Sequence, residues 1–132
     1  MLLVDTNVLV DVLQDDSQWA DWSIAQLRAQ SKLHALVINP VIYAEMSLSF
    51  STLEDLDDVV LTMALALREI PRPALFLAAR AYAQYRRRGG SNEQVLPDFL
   101  IGAHAAVEGW PLLTRDASRF RTYFPTLDVI AP

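Results

Sequence analysis

Residues 2–10 have the sequence LLVDTNVLV, and this stretch decides the fold class. A short apolar run ends at Asp5 and is followed by the polar pair Thr6-Asn7, and then by apolar residues at helical spacing. This order predicts a buried strand at Leu2–Val4, a polar turn and a helix. Strands that are apolar throughout are typical of parallel sheets with helices on both faces.

The rest of the chain repeats this alternation. Capping residues and prolines predict six further helices. Their starts are Asp15-Asp16-Ser17, Asn39-Pro40, the capping box Ser51-Thr52-Leu53-Glu54, Pro73, Pro97-Asp98 and Asp116. The helix from the capping box is expected to reach Leu67, and the one from Asp116 to reach Tyr123. Further strands are predicted at Ala35–Ile38, Pro111–Thr114 and Leu127–Ile130, with a short candidate strand at Arg68–Ile70. We therefore expect a single α/β three-layer domain over residues 1–132, with a central parallel sheet of four to five strands flanked by helices.

Composition excludes several classes of protein. Hydrophobic residues make up 52% and charged residues 20% of the chain, which argues against intrinsic disorder. Without cysteine there is no disulfide framework and no cysteine-bound zinc. No apolar run approaches the roughly 20 residues of a membrane span, and the first residues lack the basic region of a signal peptide, so we expect a cytoplasmic protein.

The charge of the chain is unevenly distributed. The net charge of −5 argues against nonspecific binding of nucleic acid through the overall field. Residues 67–132, however, carry nine bases against six acids, and ten of the eleven bases in the chain are Arg, the side chain suited to forked phosphate contacts. An acidic site beside an Arg-rich flank is compatible with a phosphate substrate.

Four acidic residues lie where a parallel sheet gathers its functional groups. Asp5 ends the first predicted strand, Glu45 lies on the helix after the second, Asp98 opens the helix before the fourth, and Asp116 follows the fourth. Ligands bind outside the carboxyl ends of such strands, so the topology can bring all four to one edge. Two carboxylates about 5 Å apart repel by roughly 3 kcal/mol at an effective dielectric constant of 20, and a divalent cation would cancel this repulsion. All-oxygen ligands favour Mg²⁺, with Mn²⁺ as the alternative, and such an ion suits phosphodiester hydrolysis.

Each of these residues also has a purely structural interpretation. Asp5 and Asp116 could be helix caps, Asp98 could complement the helix dipole, and Glu45 could be plain surface. His104 is six residues past Asp98 and does not share its helix face, so we expect a packed or surface histidine. The aromatic stripe that includes Trp19 and Trp22 is core or a partner surface. Arg86, Arg87 and Arg115 are candidate phosphate contacts, although the first two could simply be a solvated helix end.

Four motifs carry a resemblance to a known family, and it extends from the first residues to the last strand. They are LVDTNVL at residues 3–9, YAE at 43–45, PDFLIGAHA at 97–105 and LTRD at 113–116. Together they resemble the PIN-domain nucleases, and the following Arg119-Phe120 and Tyr123-Phe124-Pro125 are similar to the VapC toxin branch in particular.

The resemblance implies a Mg²⁺-dependent endoribonuclease, usually a homodimer, that is held inactive by a VapB-type antitoxin. Carried over by motif, Asp5 and Asp98 would be the principal metal ligands, and Glu45 and Asp116 would complete the acidic catalytic pocket. The residues that would orient these carboxylates or the attacking water are Thr6, Asn7 and Thr114. With RNA as the substrate, Arg86, Arg87 and Arg115 become the candidate RNA contacts. The loop at 89–96 and the helical middle are individual to this chain, and in the family such segments shape the choice of RNA.

Other functions fit the sequence less well. A receiver-type phosphoacceptor domain needs a lysine after a late strand, but the only lysine is Lys32. A haloacid-dehalogenase-type phosphatase needs Asp-x-Asp, but position 7 is Asn. The alternative that stays open is a non-catalytic PIN module that binds RNA or protein partners. Such a module would be expected to lack one or more of the four acids.

Overall fold

The computed structural model describes the backbone of residues 1–132 and the side chains of all of them except Glu93. Five parallel strands form one sheet in the order β3-β2-β1-β4-β5. Strand β1 lies at the centre, with Leu3 opposite Val37 of β2 on one side and opposite Leu112 of β4 on the other. The strands are β1 Leu2–Val4, β2 Leu36–Ile38, β3 Ala66–Leu67, β4 Leu112–Leu113 and β5 Val129–Ile130.

Seven α-helices flank the sheet, which confirms the predicted α/β class. They are α1 Thr6–Leu13, α2 Ala20–Ser31, α3 Pro40–Ser47, α4 Leu53–Thr62, α5 Arg72–Arg87, α6 Leu96–Glu108 and α7 Ser118–Tyr123, with a 3-10 turn at Glu93–Val95 before α6. Strands β1, β2 and β4 are fully buried, because their apolar side chains are covered on both faces of the sheet. Among the helices that the structure describes, none is long and apolar enough to cross a membrane.

The helix that contains Asp98 is held in place by aromatic packing. Phe99 of α6 is fully buried, and its ring lies 5.2 Å from that of Tyr123 and 5.6 Å from that of Tyr85. Gly102 allows α7 to approach, since a Cβ atom there would lie 2.5 Å from the ring of Phe124. Helices α5, α6 and α7 therefore form one packed unit next to the carboxyl edge of the sheet.

The helix that was predicted to reach Leu67 ends five residues earlier. Ala64 adopts a positive φ of 55°, the N–H of Ala64 bonds to the carbonyl of Leu61, and the N–H of Leu65 bonds to that of Val60. This is a Schellman termination with alanine at the position that usually holds glycine. Because the helix stops there, residues 66–67 pair with β2, and the strand prediction at Arg68–Ile70 was wrong by two to three residues.

Three predicted helix starts also move. Asp16 accepts hydrogen bonds from the N–H groups of Gln18 and Trp19, which makes a turn before α2 rather than its first residue. Helix α4 is capped by Thr52, which accepts from the N–H of Asp55, so the capping box at Ser51 is displaced by one residue. Helix α7 follows Ala117, so Asp116 precedes the helix and does not cap it. The cap at Asn39, with Pro40 next to it, is confirmed.

Candidate active site

The carboxyl edge of the sheet gathers the four acids that the sequence singled out. Asp5 follows the central strand β1, and its neighbours β2 and β4 lead to Glu45 and Asp116. The carboxylates of Asp98 and Glu45 lie close enough to Asp5 to raise its pKa, and Asp116 acts on Asp98 in the same way. These four side chains are called the acidic cluster below.

Asp5 is the most deeply buried member of the acidic cluster, with 5% of its surface exposed. It occupies the N-cap position of α1, but its side chain makes none of the hydrogen bonds of a helix cap. Burial raises the pKa of Asp5 to about 7, the hydroxyl of Thr114 opposes this shift, and the neighbouring Asp98 and Glu45 carboxylates add to it. Asp5 is thus a desolvated carboxyl that takes up a proton near neutrality when no cation is bound.

Thr114 holds the carboxylate of Asp5 from the end of β4. Its Oγ1 donates to Oδ2 of Asp5 at 2.8 Å, and accepts from the N–H of Asp116 at 3.1 Å and from Nδ2 of Asn7 at 3.3 Å. The Oδ1 atom of Asn7 in turn accepts from the N–H of Arg115 at 3.3 Å. These bonds fix one Asp5 orientation and tie the loop that carries Asp116 to helix α1.

Glu45 is positioned by Thr6, the third of the predicted supporting residues. Oγ1 of Thr6 donates to Oε1 of Glu45 at 2.6 Å, across 39 residues of sequence. Thr6 is buried and Glu45 is half-buried, so this bond joins the start of α1 to α3 beside the acidic cluster. The predicted supporting residues Thr6, Asn7 and Thr114 all therefore contact members of the cluster or the loop that carries one.

Asp98 forms an ion pair with an arginine side chain. The guanidinium of Arg119 donates from Nη1 to Oδ2 of Asp98 at 2.7 Å, and each side chain is about one-third exposed, 33% for Arg119 and 35% for Asp98. Burial raises the pKa of Asp98, the Arg119 charge and hydrogen bond oppose that rise, and Asp116 adds to it. In the sequence Arg119 stands out only as part of the Arg119-Phe120 motif, and no local signal indicates this contact.

The donor set fits a hard divalent cation. It consists of carboxylate and hydroxyl oxygens, which are the ligands that Mg²⁺ and Mn²⁺ prefer. Among the side chains that the structure describes, no three acidic or histidine groups are arranged to hold an ion as they stand. Glu45 is engaged by Thr6 and Asp98 by Arg119. An ion that took Oδ2 of Asp98 would therefore displace Arg119 from that oxygen.

Arg115, one of the candidate RNA contacts, is engaged inside the fold. Its Nε donates to Oδ2 of Asp11 at 2.9 Å, and its guanidinium lies 5.7 Å from the ring of Trp19. Asp11 also accepts from the hydroxyl of buried Ser23 at 3.1 Å. The sequence signal that could have indicated the contact between Arg115 and Asp11 is spacing. Asp11 lies four residues after Asn7, so both share the helix face toward the 114–116 loop.

The remaining candidates lie elsewhere. Arg86 and Arg87 are exposed in the last turn of α5. His104 is fully buried, and its Nδ1 accepts from Nδ2 of Asn39 at 3.2 Å. Burial lowers the pKa of His104, so it is a neutral core residue, which is the packed rather than the surface histidine of the two that the sequence left open. Trp19 and Trp22 are half-buried and pack edge to face.

Solved structures share this fold. One is a chain of VapBC2 from Rickettsia felis, a structure solved with a bound DNA fragment from the promoter. It is 19% identical with a TM-score of 0.74, and the match covers 98% of this chain and 97% of that one. A chain of DNA-bound VapBC from Salmonella typhimurium is 18% identical, with a TM-score of 0.71 and coverage of 98% and 96%. A chain of a toxin-antitoxin complex from Klebsiella pneumoniae is 19% identical, with a TM-score of 0.62 and coverage of 98% and 96%.

Comparison with sequences gives the family. No curated protein sequence matches the chain. The family model described as "PIN domain" matches residues 2–124, which include all four members of the acidic cluster. The chain therefore belongs to the PIN domain family.

Proposed function

We propose that this chain is a Mg²⁺-dependent endoribonuclease, with Mn²⁺ as an alternative ion, and the toxin component of a VapBC-type toxin–antitoxin pair. The observation that carries the proposal is the burial of the Asp5 carboxyl beside two other carboxylates. This carboxyl is 5% exposed, has a pKa raised to about 7 by burial, and is surrounded by the carboxylates of Asp98 and Glu45. A fold maintains such an arrangement at a cost in stability, and a divalent cation would offset that cost. Membership of the PIN domain family supports the same conclusion.

Each member of the acidic cluster has a proposed role. Asp5 and Asp98 would hold the ion, and Glu45 and Asp116 would complete the catalytic pocket directly or through water. When bound, Mg²⁺ would supply a Lewis acid that activates water and neutralises charge on phosphate oxygens. Thr114 would keep Asp5 in one orientation, and Thr6 would keep Glu45 turned toward the cluster, as their hydrogen bonds indicate. Asp5 would have to lose its proton before an ion could bind.

RNA is the proposed substrate, and its phosphates need cations from the protein. Arg86 and Arg87 are exposed at the end of α5 and so are free to contact a phosphate. Arg115 is 34% exposed and paired with Asp11, which makes it a weaker candidate for direct RNA contact. We place its main role in holding the loop that carries Asp116.

The proposed partners follow from the structures with the same fold. One of them is a toxin-antitoxin complex, and two are VapBC proteins. We propose a VapB-type antitoxin for this chain, with a homodimer as the working assembly and the cytoplasm as its location. A cluster of four acids should attract a basic peptide, so we expect an inhibitor whose Arg or Lys competes with the ion. A complex in which the inhibitor leaves the acidic cluster untouched would refute that mode of inhibition.

Purified protein and a labelled single-stranded RNA test the enzymatic proposal. We expect cleavage in Mg²⁺, none in EDTA, and a loss on the order of 10²-fold or more for Asp98→Asn, which removes one charge with little change of shape. Asp58→Asn is the matched control, because Asp58 is an exposed acid on α4 outside the cluster. Cleavage by Asp98→Asn at the wild-type rate would overturn the assignment.

Expression in cells tests the toxin proposal separately. Induction of the chain alone should arrest growth, and co-expression of an antitoxin encoded beside it should restore growth. Unimpaired growth at good expression would contradict the toxin role without excluding a ribonuclease. RNA binding without cleavage, together with no saturable binding of Mn²⁺, would instead indicate the non-catalytic PIN module.

A further inference from the structure

A cavity of 330 Å³ opens beside the acidic cluster, and we call it the α7 cavity. It is lined by Asp116, Ser118, Arg119, Thr122 and Tyr123. One lining residue, Asp116, belongs to the acidic cluster, and another, Arg119, is bonded to a second member, Asp98. A ligand in this cavity would therefore lie next to the groups that are proposed to do the chemistry.

One cation and one aromatic ring line the α7 cavity, Arg119 and Tyr123, and each contacts a further residue of the opposite kind. The guanidinium of Arg119 lies 5.9 Å from the ring centre of Tyr85, and that of Arg88 lies 5.4 Å from the ring centre of Tyr123. Guanidinium groups bind phosphates through paired N–H donors, and aromatic rings stack with bases. The surroundings of the cavity thus match the chemistry of a single-stranded nucleic-acid backbone better than that of a neutral ligand.

The two ion pairs that the structure describes differ in how readily they can be exchanged. Asp11, the partner of Arg115, is 2% exposed and also bonded to Ser23. Arg119 and Asp98 are each about one-third exposed and joined by a single nitrogen-to-oxygen contact at 2.7 Å. A partly solvated pair of this kind contributes little net stability, so one partner can be replaced by another ion of the same sign.

We propose that Arg119 changes partners during the working cycle. Before a divalent cation binds, Arg119 neutralises Asp98. Once Asp98 takes the cation, the freed guanidinium binds an RNA backbone phosphate in the α7 cavity. The inference rests on the proposed function, and it adds a substrate-binding residue that the sequence motifs did not indicate.

The charges around the cavity explain why both events should be linked. A phosphate beside Asp98 and Asp116 would be repelled unless positive charge were supplied there. The cation offsets the carboxylates, and Arg119, no longer paired, faces the phosphate. RNA and the cation would then bind cooperatively, because each removes a cost that the other would otherwise meet.

This model predicts effects of opposite sign from one substitution. Arg119→Ala removes the internal competitor of the cation, so Mn²⁺ should bind about three- to tenfold more tightly at pH 8 in a calorimetric titration. The same variant loses a phosphate contact, so the KM for a single-stranded RNA in saturating Mg²⁺ should rise about tenfold while kcat changes by less than about threefold. A merely structural role would weaken both.

Two further variants act as controls. Arg119→Lys keeps the positive charge but loses the fork, so it should keep Mn²⁺ affinity within about threefold of wild type and still raise KM. Arg121→Ala removes the same charge from the same helix, and Arg121 is exposed and makes no ion pair with any side chain that the structure describes. Arg121→Ala should leave both the Mn²⁺ affinity and the KM for RNA within about twofold of wild type, as expected for an exposed charge.

The outcomes separate this inference from the proposed function. Equal or weaker Mn²⁺ binding by Arg119→Ala, or an unchanged KM, would overturn the partner exchange while wild-type cleavage would still support the nuclease. Wild-type protein that binds no Mn²⁺ and cleaves no RNA would overturn the proposed function, and the inference with it. Equal effects of Arg121→Ala and Arg119→Ala would reduce the result to bulk charge and refute the inference.

Discussion

Two buried aspartates at opposite ends of helix α1 are treated differently by the fold. Asp11 is 2% exposed, and Arg115 and Ser23 both donate to its Oδ2, at 2.9 Å and 3.1 Å. Asp5 is 5% exposed, and the two ion pairs that the structure describes do not include it. It receives one hydroxyl hydrogen bond, from Thr114, and lies beside two further carboxylates.

The difference separates a structural carboxylate from a functional one. A buried charge that the protein neutralises itself holds elements together, and here Asp11 joins α1, α2 and the loop after β4. A buried charge that the protein leaves without a cation has a raised pKa and is a candidate for chemistry. The comparison predicts that substitutions at Asp11 should act on stability and substitutions at Asp5 on activity.

The largest expected effect is the loss of catalysis on substitution of Asp5. If it were absent, the distinction between Asp5 and Asp11 would fail. Asp5→Asn should reduce RNA cleavage on the order of 10²- to 10³-fold, because it removes a proposed ligand charge in a desolvated site. Asp11→Asn, the matched change in the other buried carboxylate, should cost less than about tenfold at a temperature where the variant is folded. Cleavage rates of purified proteins in saturating Mg²⁺ test this, and equal losses in both variants would contradict the distinction.

The next effect is the contribution of Asp5 to the pH dependence of stability. Its pKa is raised from 3.8 to about 7 in the folded protein, so the folded state binds more protons than the unfolded state between these values. The contribution of Asp5 to stability in EDTA should therefore fall as pH rises, by about 2–3 kcal/mol from pH 5 to pH 8, and level off above pH 8.

Urea unfolding of wild type and Asp5→Asn at both pH values measures the contribution of Asp5 together with its coupling to Asp98 and Glu45, because titrating groups far from the acidic cluster cancel in the difference between the two proteins. Asp5→Asn should lack this contribution and be more stable than wild type at pH 8. Wild-type protein that gained stability relative to Asp5→Asn on going from pH 5 to pH 8 would show that Asp5 is charged and satisfied without a cation.

A smaller effect should appear at the other aspartate. Asp11→Asn should lower the free energy of unfolding by about 2 kcal/mol, because it replaces charge-assisted hydrogen bonds from Arg115 and Ser23 with neutral ones. A double-mutant cycle with Arg115→Gln, measured by urea unfolding, should give a coupling energy of about 1–2 kcal/mol. Additive losses would indicate that the ion pair contributes nothing beyond each side chain alone.

The smallest effect sharpens the account of Asp5 itself. Thr114→Val keeps the shape of the side chain but removes the hydroxyl that donates to Asp5 and opposes its pKa rise. The pKa of Asp5 should rise further, so the acid limb of the kcat/KM profile should move to higher pH, with a loss of about tenfold at pH 7. Thr114→Ser, which retains the hydroxyl, should restore the wild-type profile, and an unshifted profile in Thr114→Val would rule out this role.

Much of the fold could be predicted because its signals are local. The three buried strands β1, β2 and β4 and the Asn39-Pro40 helix start were recognised from short apolar runs, a cap and a proline. The convergence of Asp5, Glu45, Asp98 and Asp116 followed from topology, since the carboxyl ends of parallel strands share one edge. Their roles in catalysis and metal binding stay predictions.

What could not be predicted depends on contacts between distant residues. Strand β3 was misplaced because the Schellman turn that ends α4 uses Ala64 rather than glycine, so the sequence carries no stop signal. The bond between Arg119 and Asp98 spans 21 residues and requires the packing of α7 against α6. No spacing rule identifies which of ten arginines reaches an acid across such a distance.

Calorimetric titration of Mn²⁺ into wild-type protein at pH 7, in two buffers of different ionisation enthalpy, tests the central claim most directly. A cation that binds at Asp5 must displace its proton, so the account predicts saturable binding with release of about half a proton per protein, and no such release from Asp5→Asn. Absence of saturable binding, or binding with equal proton release in both proteins, would contradict the claim that Asp5 is the buried ligand of a divalent ion.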